Sequence, residues 1–162
     1  MTDSEQWPSD ENRTVGSDYL VAFGQVTLAY NLLESMMGRI FTHCAPLETE
    51  YADKLFHLLN NRERIELLSA FVSKNEQDLQ ARAAILHCVL CYDICTENRN
   101  ILMHVILLDI DETTAKWTKK ASQDPTRIVE FHASLTDLRL VADQIVDTLR
   151  YARSLHLFHA VS

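Results

Sequence analysis

Three glycines and three prolines in 162 residues leave this chain few places to turn. A β-sandwich or barrel needs turn residues at short, regular intervals, whereas helices need them only at their ends. The scarcity therefore points to a mainly α fold before any periodicity is considered. The length suits one domain with a sizeable core. Hydrophobic residues at 47% and charged residues at 23% are ordinary for a globular chain.

Periodicity divides the chain. Residues 1–16 are charged and poor in apolar groups, the composition of a disordered tail, and a single domain is expected over 17–160. A first helix is predicted from about Asp18 to Thr42 with Ser17 as N-cap. Leu20, Phe23, Val26, Tyr30, Leu33, Met37 and Ile40 form its apolar stripe, and Ala45-Pro46 ends it. A second helical region covers roughly Thr49 to Lys74, broken at Asn60-Asn61 with Asn61 as the cap. Asn75 and Asp78 have capping-box spacing and open a third helix, Glu76 to about Met103, roughly 40 Å long. The pattern then turns β-branched at Val105–Ile110, Thr113–Lys119 and Arg127–His132, with turn signals at Asp111-Glu112 and Asp124-Pro125. A small β-hairpin or three-stranded flap is expected there. Ser134 and Asp137 form another capping pair, opening a last helix from Leu135 to His156 with Leu138, Val141, Ile145, Leu149 and Ala152 inward. The expected architecture is a bundle of four to five helices with a β-hairpin insertion before the last helix.

The formal net charge of −8 gives no general attraction for nucleic acid or anionic membrane. No DNA partner is expected, and any RNA contact must be local, through arginines in a cleft. The opening MTDSEQWPSDENRTVGSD lacks the basic and apolar regions of a signal peptide. The most apolar run, Ala83 to Cys95, is interrupted by His87 and Asp93 and is too short to span a bilayer. A cytoplasmic protein with free thiols is the expectation.

The third helix poses the functional question, because polar residues crowd its end in ENRNILMH, Glu97 to His104. On a helical wheel centred on Asp93, Glu97 lies near about 40°, Asn100 near about −20° and His104 near about 20°. Leu79, Leu86, Val89 and Leu90 share that face, so the polar stripe is expected to extend a core-facing one. Arg99 projects about 120° away and flanks it. Burying such groups costs several kcal/mol unless each finds a partner, so either a structural polar network or a ligand site is implied.

Arg99-Asn100-x3-His104 resembles the R-polar-x3-H signature of the HEPN-domain family, placed near the end of the third long helix as in that family. The order of elements over roughly residues 18–156 is also similar to a bacterial branch of it. The Arg–His spacing alone is weak evidence, since Arg82…His87, Arg127…His132 and Arg153…His159 are also Arg–His pairs five to seven residues apart; only Arg99 is followed by Asn. The resemblance implies an all-α domain that dimerises with the motif at the interface. It implies a metal-independent endoribonuclease without cofactor, acting as a toxin or phage-defence effector alongside an antitoxin or defence partner. The alternative it implies is an inactive dimerisation or partner-binding module.

The chemistry suits the residues. RNA is cleaved when its own 2′-hydroxyl attacks the adjacent phosphate, which requires a base, an acid and charge stabilisation at phosphorus. An unperturbed imidazole titrates at about 6.5 and suits proton transfer, and a guanidinium grips two phosphate oxygens. Arg99 would hold the phosphate, Asn100 would position it and His104 would move protons, with a homodimer supplying two copies of His104. Asp93 and Glu97 would support the stripe, and Glu34 on the first helix could reach it.

Other constellations favour packing. Cys88, Cys91 and Cys95 fall on one narrow helix face and read as core residues rather than a metal site, and no metal is expected. His156 and His159 read as residues near a helix C-terminus. Arg62 and Arg64, offset by Glu63 and Glu66, read as a solvated face. There is no phosphate loop and no serine-hydrolase elbow.

Overall fold

A computed structural model describes residues 16–103, 106–110, 114–120 and 128–160. The expected tail, the turn signals at Asp111-Glu112 and Asp124-Pro125, and His104 lie outside the described residues. The fold is mainly helical, with five helices among those residues: α1 (Ser17–Cys44), α2 (Thr49–Leu58), α3 (Asn61–Asn75), α4 (Leu79–Met103) and α5 (Leu135–Ala160). Between α4 and α5 run β1 (Ile106–Ile110), β2 (Thr114–Lys120) and β3 (Ile128–Ser134), antiparallel in the order β1-β2-β3. Thr114 pairs with Ser134 and Lys120 with Ile128, while a register shift interrupts β1 between Leu107 and Asp109. No helix among the described residues is long and apolar enough to cross a membrane.

Side-chain caps decide where several helices begin, and they move the predicted starts of two. Asn60, not Asn61, caps α3: its side chain accepts from the Glu63 amide at 3.0 Å while Glu63 accepts from the Asn60 amide at 2.9 Å. Asn61 is thereby the first helical residue and is free to point inward. Asn75 closes α3 rather than opening the next helix, and Asp78 caps α4 by accepting from the amides of Gln80 (2.7 Å) and Ala81 (3.1 Å). α1 starts with Ser17 inside the helix and Gly16 at the N-cap without a side-chain bond. The Ser134–Asp137 box does open α5, with Asp137 accepting from both the Ser134 amide (2.8 Å) and hydroxyl (2.7 Å).

α1 runs along α5, and α4 closes the bundle against α1, α3 and α5. The core is built from Val26, Leu33, Met37 and Phe41 of α1, Phe56 of α2, Val72 of α3, Ile85, Cys88 and Tyr92 of α4, and Ile145 and Ala152 of α5. Phe41 packs against Phe56 and Phe71 with ring centres 5.4 and 5.5 Å away. Gly38 allows α2 to approach α1, since a Cβ there would meet the Phe56 ring at 3.2 Å. Burying about a dozen such side chains supplies the main stabilising term.

Candidate functional site

The inward face of α4 overlaps only in part with the one expected: Val89 is buried and Leu86 packs against the core. Ile85, Cys88, Tyr92, Cys95 and Thr96 are buried, whereas Leu79 (72% exposed) and Leu90 (56%) face outward. Asp93 is half-buried and Glu97 exposed. The Asp93–Glu97–Asn100 stripe therefore does not continue a core-facing stripe; it borders the outer surface. Arg99, about 120° away on the wheel, is the residue that continues the buried line of Tyr92 and Thr96. Ile85, Val89, two cysteines and a tyrosine mark the packed side of this helix.

A polar network converges on that line from three helices. The Thr96 hydroxyl donates to the Tyr92 carbonyl at 2.8 Å. Its single hydrogen being used, it accepts from the Tyr30 hydroxyl at 3.0 Å. Asn61 donates its amide to the Tyr30 oxygen at 3.3 Å, while its carbonyl oxygen accepts from Arg64 at 3.0 Å and from the Tyr92 hydroxyl at 3.5 Å. Arg64 also binds Glu34, and its Nε donates to the Phe56 carbonyl at 2.7 Å. The chain of donors Arg64, Asn61, Tyr30 and Thr96 is thus ordered in one direction, which satisfies groups that would be costly to bury alone. Burial pushes the Tyr92 phenol well above its ordinary range, and the neighbouring Tyr30 and Glu34 add to the shift.

The two arginines in this region have opposite settings. Arg64 is only 12% exposed in its side chain, paired with Glu34, bonded to the α2 carbonyl, and stacked 4.4 Å above the Phe56 ring. Its expected solvated position is corrected: Arg62, 87% exposed, lies on the solvated face, and Arg64 turns in because α2 presents it with a carbonyl and a ring. Arg99 is half-buried with its guanidinium 5.1 Å from the Tyr30 ring centre. It donates to Asn100 Oδ1 at 3.0 Å. Its Nε is buried without an acceptor, and no carboxylate among the described residues pairs with it.

The structure therefore brings Arg99 and Asn100 together and connects them to Glu34 indirectly, through Arg64, Asn61 and Tyr30. Among the described residues, no hydrogen bond or ion pair joins Asp93 or Glu97 to this cluster. His104 lies outside the described residues. Sequence reasoning missed Tyr30, Asn61 and Thr96 as members of the cluster. The available signal was chemical: a tyrosine in an apolar stripe brings a hydroxyl that must find a partner.

Two of the three α4 cysteines pack as expected of small apolar residues. Cys88 and Cys95 are buried, Cys88 beside the Met37 sulfur at 3.8 Å and Cys95 beside the Thr148 hydroxyl at 3.5 Å. Burial pushes the Cys88 thiol up to about 12 and the Cys44 thiol up to about 11. Cys91 is half-buried and lies 3.7 Å from His87 Nε2. Among the described residues, no group of three potential ligands has a geometry that could hold a metal ion.

No protein-family model matches the chain, and no curated protein and no solved structure matches it either.

Proposed function

We propose that this protein is a metal-independent endoribonuclease of HEPN type, cytoplasmic and active as a homodimer, serving as a toxin or phage-defence effector. The observation that carries the reading is the uncommitted guanidinium of Arg99. It is shelved on Tyr30, bonded to Asn100, and short of an acceptor among the described residues, whereas Arg64 nearby is paired with Glu34 and bonded to Phe56 and Asn61. A half-buried cation without a carboxylate is costly for the free protein and is relieved by an anion such as the scissile phosphate.

In the proposed reaction the RNA 2′-oxygen attacks phosphorus and the bond to the 5′-oxygen breaks, leaving a 2′,3′-cyclic phosphate and a 5′-hydroxyl. Arg99 holds the non-bridging oxygens, where charge accumulates, and Asn100 orients them. One His104 removes the 2′-hydroxyl proton; the second, from the other subunit, protonates the leaving oxygen. An antitoxin neighbour would restrain such an enzyme by covering the motif.

A second reading is favoured by the outer face of α4. Leu79, Leu90 and Ile94 are 72, 56 and 50% exposed and flanked by Asp93 and Glu97, a surface suited to a protein partner. On that reading the protein is an inactive HEPN-like dimerisation or partner-binding module. Incubation with single-stranded RNA in EDTA separates the two. The enzyme reading predicts cyclic-phosphate ends that vanish in Arg99→Ala and His104→Ala. The module reading predicts intact RNA in every case, with Leu90→Asp abolishing self-association.

A further inference from the structure

An open groove of about 1010 Å³ lies between α1 and α2, with Gly38 and Phe56 among its lining residues. Arg39 and His43 lie one helical turn apart on its α1 wall, and His57 of α2 and His156 of α5 also line it. Three carboxylates share the groove: Glu34 pairs with Arg64, Glu50 pairs with Lys54 at 2.5 Å, and Asp53 lies 3.7 Å from His57 Nε2. Arg39 is exposed and has no carboxylate partner among the described residues. The N-terminus of α2 opens into the same space at Thr49 and Glu50, and the Glu48 N-cap makes no side-chain bond to it.

A guanidinium, the imidazoles of His43 and His156 from two helices, and free amides at a helix start together form a donor set for phosphoryl oxygens. The groove runs some 18 Å along α1 from Asn31 to His43, room for more than a bare phosphate. We propose that this groove is a second site, separate from Arg99, that binds a phosphate-bearing small ligand of nucleotide size. Arg39 and His43 grip the phosphate from α1, and His156 approaches it from α5. The uncharged groups Asn31 and Ser35 serve the remainder of the ligand.

Calorimetric titration with inorganic pyrophosphate and with ADP, in EDTA, tests the site. Both bind, ADP the more tightly; Arg39→Gln weakens binding at least tenfold while its unfolding curve stays unchanged, and His43→Gln also weakens binding at least tenfold. Arg99→Ala binds as the unaltered protein does, so the result is independent of RNA cleavage. Absence of binding by either ligand overturns the proposal. So does full affinity in Arg39→Gln, pyrophosphate binding without ADP binding, or a loss confined to Arg99→Ala.

Discussion

Tyr30 carries two tasks at once: its ring lies under the Arg99 guanidinium and its hydroxyl joins Thr96 to Asn61. Substitution separates them. Tyr30→Phe keeps the ring and removes the hydroxyl, leaving Asn61 without its acceptor and Thr96 without its donor. It should destabilise the fold by roughly 1–3 kcal/mol in urea denaturation while retaining most of any RNA cleavage. Tyr30→Leu also removes the surface on which Arg99 rests, and cleavage should fall with it. Equal cleavage in Tyr30→Leu and Tyr30→Phe would show that the ring does not place Arg99. At this scale the sequence was legible in part. Arg99 and Asn100 could be singled out by their adjacency, but the partners of Arg99 could not, because Tyr30 lies 69 positions away and looks apolar in its periodicity.

Among the elements, α4 shows most clearly what periodicity can and cannot decide. Its apolar residues surround the helix, so two faces competed for the core: of the expected stripe Val89 is buried and Leu86 packs against the core, but Leu79 and Leu90 face outward. The buried face holds Cys88, Tyr92 and Cys95, whose small or ring-shaped side chains fit against Met37, Tyr30 and Thr148. Helix limits were more legible where a carboxylate or amide caps them, as at Ser134 and Asp137. They slipped by one to a few residues where two capping residues are adjacent or close, as at Asn60-Asn61 and Asn75 to Asp78. Because Asn60 caps α3 and thereby directs Asn61 inward, Asn60→Ala should cost about 1 kcal/mol in chemical denaturation. It should also loosen the Tyr30 network, seen as faster amide exchange at Thr96. Unchanged stability would mean that packing of Leu68 and Val72 alone sets the start of α3.

For the whole molecule, buried thiols and phenols make stability sensitive to alkali. The folded-state values of Cys88 (about 12), Cys44 (about 11) and Tyr92 (raised) exceed their ordinary values, so ionisation favours the unfolded chain. Their stabilisation is complete below about pH 9 and is lost as pH rises toward the folded values. By pH 10.5 Cys88 alone should have removed about 2 kcal/mol, read as a falling urea midpoint that flattens in Cys88→Ala. A midpoint constant from pH 8 to 10.5 would contradict this. The helical architecture was legible because sparse glycine and proline permit little else. The three-helix origin of the Arg99 setting was not, because it depends on how α1, α3 and α4 meet.

The central claim is that the Arg99 guanidinium is held open for a phosphate. Its most direct measurement is the rate at which single-stranded RNA is cleaved in EDTA by the intact protein and by a folded Arg99→Ala variant. Cyclic-phosphate products are expected from the former and a rate at least about 100-fold lower from the latter, the usual cost of losing a donor to a transition-state oxyanion. RNA left intact by the unaltered protein, or cleaved equally well by Arg99→Ala, would contradict it.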